Sequence, residues 1–259
     1  MVDGKSAHRK LMRVIQDIAS GRYSDEIMAL TGPEYPPDVQ ELAEAVGMMM
    51  VKIEAREDRL EQLLERIKHN SLQTVTSIAT ALGRRDEYTE GHGERVGTYS
   101  ARLARRLGLS DDEVEQVRIA GILHDIGKIG FSDRMFCNED TTNREAMMLE
   151  IRSHPQWGYD ILSSLDFLGP VLDYVYAHHE RLDGRGYPRG LEGEEIPLGA
   201  RILSVVDCFD AMTTDRPYQR GRPVEVALGI LGGMADAGAL DPEVVEAFMI
   251  EIEENGMEL

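Results

Sequence analysis

Cysteine, positive charge and long apolar runs are all scarce in this chain of 259 residues, and each scarcity closes off a class of protein. With only Cys137 and Cys208, the chain has no disulfide framework and no CxxC pair of the kind that builds thiolate zinc sites. Cys208 falls within an apolar helical pattern and reads as a small buried thiol. Lysine and arginine number 28 against 47 aspartates and glutamates, a formal net charge of −19. That balance argues against nucleic acid or an anionic membrane surface as a partner. No stretch approaches the roughly 18 apolar residues that a membrane span requires; the most apolar early segment, Val46 to Val51, runs straight into Lys52 and Glu54. The N-terminus also lacks the basic, apolar and small-residue succession of a secretory signal. The expectation is a cytoplasmic protein without a membrane span.

Strand-like alternation is equally rare. Glycine and proline clusters fall between segments of 3.6-residue periodicity, so the fold class expected is all-α. A first helix from about Lys5 to Ala19 sets Leu11, Val14, Ile15 and Ile18 on one face and ends at Ser20-Gly21. The connector from Thr31 to Pro37 is too rich in proline to be helical. From Asp38 a long helix keeps an apolar heptad, with Val39, Val46, Ile53, Leu60 and Ile67 in one series and Leu42, Met49 and Leu63 in the other. Arg56 and Asn70 interrupt the second series, and after Ile67 the phase slips to Leu72, Val75, Ile78 and Leu82. The spacing predicts a parallel two-stranded coiled coil from Asp38 to about Asn70, and with it a homodimer; the alternative is an amphipathic helix packed on its own chain. Helix, connector and helix, with Asp17 to Ser24 and Glu41 to Met50 as the matching stretches, resemble a HAMP-type signal-transmitting module.

The chemistry-bearing residues lie beyond Ser71. His8 and His69 have charged helical surroundings and read as solvated, whereas five other histidines have more specific settings. In Ala120 to Gly130, an apolar helical run reaches His124-Asp125 and breaks at glycines, with Lys128 four residues after His124 on the same face. Burying such groups without partners is costly. A metal with an anionic substrate would satisfy them, although a His-Asp pair can also be a simple helix cap. His178-His179 closes an amphipathic helix, where the pair could serve metals or interact with the helix dipole. Asp207 and Asp210 share a face with Leu203 and Val206, and Asp210 is a candidate for orienting a histidine ligand. His92 lies between Gly91 and Gly93, which permit close approach of backbone to an ion or phosphate. His154 precedes Pro155 at an expected helix start, with Ser153 as its N-cap. In so acidic a chain, bound metals and a few basic side chains would have to supply the positive charge for an anionic substrate.

The order His92, His124-Asp125, His154, His178-His179, Asp207, with Gly186-Tyr187-Pro188 after the histidine pair, resembles the HD-GYP family of the HD phosphohydrolase superfamily. The matching segments are Tyr88 to Val96, Leu123 to Gly130, His178 to Pro188, Glu194 to Leu203 and Asp207 to Tyr218. They imply a compact helical, metal-dependent phosphohydrolase domain over residues 71–259, preceded by a dimerisation and signalling segment over residues 1–70. They also imply hydrolysis of cyclic di-GMP to pGpG, GMP or both by a hydroxide held between metals. By motif position the metal ligands are His92, His124, Asp125, His154, His178, His179 and Asp207, with Asp125 as the bridge. Relatives with a third metal carry an extra glutamate shortly before the first histidine; Tyr88 and Glu90 stand there, which favours two ions, iron or manganese. Lys128 would neutralise charge on the phosphate, and Arg216, helped by Arg220, would grip the second phosphate. Arg181, Arg185, Gly186, Tyr187 and Pro188 would line the nucleotide cleft or face another signalling protein. Two features depart from the family pattern: the acidic Met135 to Asn143 segment, and Leu240 where relatives carry an aromatic residue. The competing expectations are a non-hydrolysing cyclic dinucleotide sensor and a phosphodiesterase for another cyclic dinucleotide.

Overall fold

A computed structural model describes residues 2–85, 91–133, 144–215 and 220–256. Tyr88, Glu90, Cys137 and Arg216, together with the segment from Met135 to Asn143, lie outside them. The chain divides into two compact units, Met1–Asn70 and Ser71–Leu259. Among the described residues there is no strand, only an isolated bridge between Asp183 and Glu192, and no helix long and apolar enough to cross a membrane.

In the first unit, α1 (Gly4–Ala19) buries Ala7, Leu11, Val14 and Ile18. These positions recur at four, three and four residues, the stripe of an amphipathic helix. The stripe joins Ile27 and Leu30 of a 3-10 helix (Asp25–Thr31) and Val39, Ala43, Val46 and Met50 of α2 (Pro37–Arg85). This corrects the coiled-coil expectation for the start of α2. Val39 and Val46, assigned to a seam between chains, are buried within their own unit, while Leu42 and Met49 are exposed. The stripe that α1 presents has the same 3.6-residue spacing, so the two helices satisfy each other. Beyond Met50, Leu60 and Ile67 remain 62% and 60% exposed.

The second unit is organised by a helical hairpin, α3 (His92–Arg106) and α4 (Asp111–Leu123). Gly108, at φ 79°, ends α3 in the left-handed region that glycine occupies at little cost. Ser110 opens α4 with a capping box, its backbone N–H donating to Glu113 Oε2 at 2.9 Å. Two helices of similar length in such a hairpin bring the first residue of one beside the residue after the other, here His92 beside His124. The helices touch through glycine: a Cβ at Gly121 would lie 2.7 Å from the Gly97 Cα.

α5 (Arg144–Leu162), α6 (Val171–Ala177), α7 (Leu198–Thr213), α8 (Val224–Asp236) and α9 (Pro242–Asn255) complete the unit. α7 is central, with Ile202, Leu203, Val205, Val206 and Phe209 all fully buried. The Phe209 ring meets Tyr99 of α3 and Phe248 of α9 edge-on, with centroids 6.3 and 5.0 Å apart. The buried Glu251 accepts from Arg102 Nε at 2.9 Å and Arg106 Nε at 2.7 Å, fastening α9 to α3.

The glycine contact gives a stability test. Gly121→Ala is expected to destabilise the protein by about 1–3 kcal/mol, since its Cβ meets backbone that cannot yield. Gly233→Ala, in α8 with nothing within 4 Å of the added carbon, is expected to stabilise by roughly 0.5–1 kcal/mol. Urea denaturation of the two variants checks both signs.

Candidate metal centre

Three of the histidines, His124, His154 and His178, are held by backbone carbonyls that lack a helical partner. The last four carbonyls of a helix have no N–H to accept from within it. His124, directly after α4, donates its Nδ1–H to the Gly121 carbonyl at 2.8 Å. His178, directly after α6, does the same to Val175 at 2.6 Å. His154 lies inside α5, and here the free carbonyl is made by sequence: Pro155 has no N–H to give to Ile151, and His154 Nδ1 takes that acceptor at 2.7 Å. The expected helix start at Pro155 is therefore corrected. Pro155 is interior to α5, and Ser153 Oγ donates back to the Leu149 carbonyl rather than capping. The histidine ring replaces the hydrogen bond that a proline would forfeit.

With each Nδ1 occupied, each Nε2 carries its lone pair inward. His92 Nε2 and His124 Nε2 approach to 3.3 Å, as do His154 Nε2 and His178 Nε2. Nitrogens facing each other at that separation fit a shared cation or proton. Two groups could each hold a metal ion: His92, His124 and Asp125, and His154, His178 and His179.

Asp125 stands between them. Its Oδ2 lies 3.4 Å from His124 Nε2 and 3.8 Å from His92 Nε2, while Oδ1 lies 3.4 Å from His154 Nε2. One carboxylate oxygen thus turns to each group. Lys128 Nζ donates to Asp125 Oδ2 at 2.6 Å. Asp207 Oδ1 approaches His92 Nε2 at 3.2 Å and His124 Nε2 at 3.8 Å, adding a carboxylate to the first group. All seven residues named from the motif order converge here.

The electrostatics agree with a place for positive charge. Burial raises the Asp125 carboxyl, but Lys128 and His124 outweigh it and hold the group well below its usual range. Asp207 is likewise lowered, burial being overcome by His92 and His124. Burial disfavours a charged His92, yet Asp207 and Asp210 raise it to about 10, a setting that favours positive charge. Burial depresses His154 to about 3 and His179 to about 4, keeping them neutral and able to ligate.

Asp210 is the orienting carboxylate: His92 Nδ1 donates to its Oδ2 at 2.7 Å. Its partner Arg95 was missed by sequence reasoning. Arg95 Nε and one terminal nitrogen donate to Asp210 at 2.6 and 2.9 Å, and the same nitrogen reaches Thr214 Oγ1 at 3.1 Å. Three residues after His92 on α3, it faces the same neighbour, and the proposed role of Asp210 was the signal that could have found it.

Glu180 was also missed. Buried directly after the histidine pair, its carboxylate accepts from the backbone N–H groups of Arg189, Gly190 and Leu191 at 2.7, 3.1 and 3.1 Å. That hub folds the Gly186-Tyr187-Pro188 loop back on the helix end. Gly186 lies so close that a Cβ would be 2.4 Å from the Glu180 Cα. The Tyr187–Pro188 peptide is cis. Tyr187 is laid against His179, centroids 4.9 Å apart at 33°, and Pro188 is exposed. Arg181 is engaged with Asp183 through two hydrogen bonds, at 2.9 and 2.6 Å. Arg185 and Arg220 are exposed, and no described contact joins Arg220 to the cluster.

The HD domain family model matches residues 76–244. The chain belongs to the HD domain family. Its His124-Asp125 pair and Gly186-Tyr187-Pro188 loop mark it as HD-GYP in type. It is 34% identical to 3'3'-cGAMP-specific phosphodiesterase 3 of Vibrio cholerae, over 86% of this chain and 50% of that protein. It is 41% identical to a cyclic di-GMP phosphodiesterase of Thermotoga maritima, over 64% of this chain and 45% of that one. The chain thus spans about half the length of these curated relatives. Among solved structures, the Vibrio cholerae cyclic GMP-AMP phosphodiesterase V-cGAP3 superposes with a TM-score of 0.54 at 23% identity, over 72% of this chain and 49% of that one. The HD domain of Listeria monocytogenes PgpH, with cyclic di-AMP, gives 0.52 at 15%, over 70% and 96%. These likenesses establish the all-α HD fold.

Asp210→Asn and Arg95→Ala are expected to lower affinity for a divalent metal by about 10–100-fold, as loss of a ligand-orienting carboxylate does. Competition against a chromophoric chelator measures this.

Proposed function

We propose that this HD domain is a metal-dependent phosphodiesterase that hydrolyses cyclic di-GMP to pGpG, GMP or both. The observation that carries the reading is Asp125, with one carboxylate oxygen directed to each histidine group. His92, His124, Asp125 and Asp207 would hold one divalent ion, and His154, His178, His179 and Asp125 a second. The donors are imidazole and carboxylate without thiolate, which suits iron or manganese. Such a pair, when bound, supplies Lewis-acid polarisation of a phosphodiester and activates water for attack.

The remaining work falls to the chain itself. Lys128, 2.6 Å from Asp125 Oδ2, brings a fixed positive charge to the edge of the site, where negative charge develops on the phosphate. Tyr187 presents its ring beside His179 as an apolar wall for the nucleotide, with Gly186 and Pro188 shaping the loop. Arg216 and Arg220 are assigned to the second phosphate on their motif position, and Arg181 to the cleft rim. The resemblance to a 3'3'-cGAMP-specific relative favours one alternative substrate, a mixed guanine-adenine cyclic dinucleotide.

Protein purified anaerobically with iron or manganese is expected to carry about two ions per chain and to convert cyclic di-GMP to linear products. Asp125→Ala should abolish turnover, and Lys128→Ala should lower kcat by about 10²–10³-fold. Tight binding without products in either metal form would replace the enzyme with a sensor.

Residues 1–70 are assigned to dimerisation and signalling, and residues 71–259 to the phosphodiesterase domain of a cytoplasmic protein. The dimer would form through the exposed stripe of α2 at Leu60, Leu63 and Ile67, with the Gly186-Tyr187-Pro188 loop as a surface for a signalling partner. Light scattering of the full chain should give a dimer, and Leu60→Glu with Ile67→Glu a monomer.

A further inference from the structure

Arg152 lies on α5 two residues before His154, with its side chain exposed. Its guanidinium carbon is 5.9 Å from the centroid of the Tyr187 ring, inside the range of a cation–π contact. Tyr187 in turn lies on His179, and His179 meets His154 edge-on at 5.0 Å. A continuous ladder of planar groups therefore climbs from the metal cluster to a guanidinium at its rim. Arg95, Arg102, Arg106, Arg118, Arg181 and Arg201 are each paired with a carboxylate. Arg152 has no such partner among the described residues, in a chain where acids outnumber lysine and arginine by 47 to 28.

The same face of α5 borders an open surface depression of about 450 Å³ lined, among the described residues, by Arg144, Glu145, Met148, Leu149 and Arg152. Met148 and Leu149 are 43% and 69% exposed, an apolar surface next to the Arg152 guanidinium. A guanidinium drawn to an aromatic ring by cation–π attraction still carries N–H donors along its edge. Arginine so presented donates two parallel hydrogen bonds to O6 and N7 of guanine; adenine offers N7 but replaces the second acceptor with a donor. Apolar side chains beside it suit the face of a purine.

We infer that the outer face of α5 is a nucleobase subsite of the phosphodiesterase centre, in which Arg152, braced on Tyr187, binds one guanine of a cyclic dinucleotide and selects it over adenine. The inference rests on the proposed cyclic dinucleotide substrate and adds the group that reads its base. A single guanine subsite is compatible with both cyclic di-GMP and the mixed guanine-adenine ring, and incompatible with cyclic di-AMP.

The test uses full-length metal-loaded protein as wild type, Arg152→Ala and Arg152→Lys, with cyclic di-GMP, 3'3'-cGAMP and cyclic di-AMP. Binding is measured by calorimetry and turnover by chromatography. Arg152→Ala is expected to weaken binding and raise KM for the two guanine-containing rings by on the order of 10–100-fold. Metal content and kcat should be retained, and discrimination against cyclic di-AMP should narrow. Arg152→Lys should not restore discrimination, since a single ammonium lacks the two-pronged edge. Unchanged binding in Arg152→Ala, or an equal loss for all three rings, would overturn the subsite while leaving the phosphodiesterase reading intact. If wild type binds cyclic di-GMP without cleaving it, the phosphodiesterase reading fails and the binding comparison still decides the subsite. If wild type binds none of the three rings, both fall.

Discussion

The site depends on one recurring interaction, a histidine ring bonded to a backbone carbonyl that the helix has left without a donor. It occurs at Gly121, Ile151 and Val175, each three residues before the histidine it holds. Because the carbonyl belongs to rigid helical backbone, the ring inherits that rigidity, and its second nitrogen points inward. His92, at the start of a helix where no free carbonyl exists, needs a side chain instead, and Asp210 backed by Arg95 provides it. The arrangement of helices aims three backbone carbonyls and one carboxylate, each through the ring it holds, at a common centre.

That centre also resolves the charge problem posed by a net −19. Asp125 and Asp207 are both lowered in pKa although burial pushes each of them up. Their ionised state is sustained chiefly by Lys128 beside Asp125 and His92 beside Asp207, a local positive field in an acidic protein. Three further acids, Asp210, Asp241 and Glu251, are buried against Arg95, Arg201 and the pair Arg102 and Arg106. Arg95, Arg102, Arg106 and Arg201 are thus committed to buried carboxylates, where removing one partner would leave an isolated buried ion.

Much of this was legible in the sequence because the clustered residues belong to motifs of fixed residue type and order. Seven residues dispersed between 92 and 207 converge as their order implied. Local rules failed where a tertiary or side-chain partner replaced a backbone one. Pro155 looked like a helix start because proline forfeits a hydrogen bond, but His154 supplies that bond within the same turn. The stripe of Val39 and Val46 looked like an intermolecular seam because a heptad and a 3.6-residue spacing differ little over two turns, and α1 covers it. Glu180 was illegible for a different reason: it acts through hydrogen bonds to looping backbone, which no spacing encodes, whereas Arg95 was reachable only through the role of Asp210.

The proline inside α5 sets helix regularity against ligand geometry. A residue with an N–H at position 155 would extend the ladder of α5 and, by intrinsic propensity alone, suit a helix interior better by about 3 kcal/mol. It would also compete with His154 for the Ile151 carbonyl, freeing the imidazole to turn or change tautomer. Helix regularity and a fixed imidazole orientation therefore pull in opposite directions at one atom, the Ile151 carbonyl oxygen.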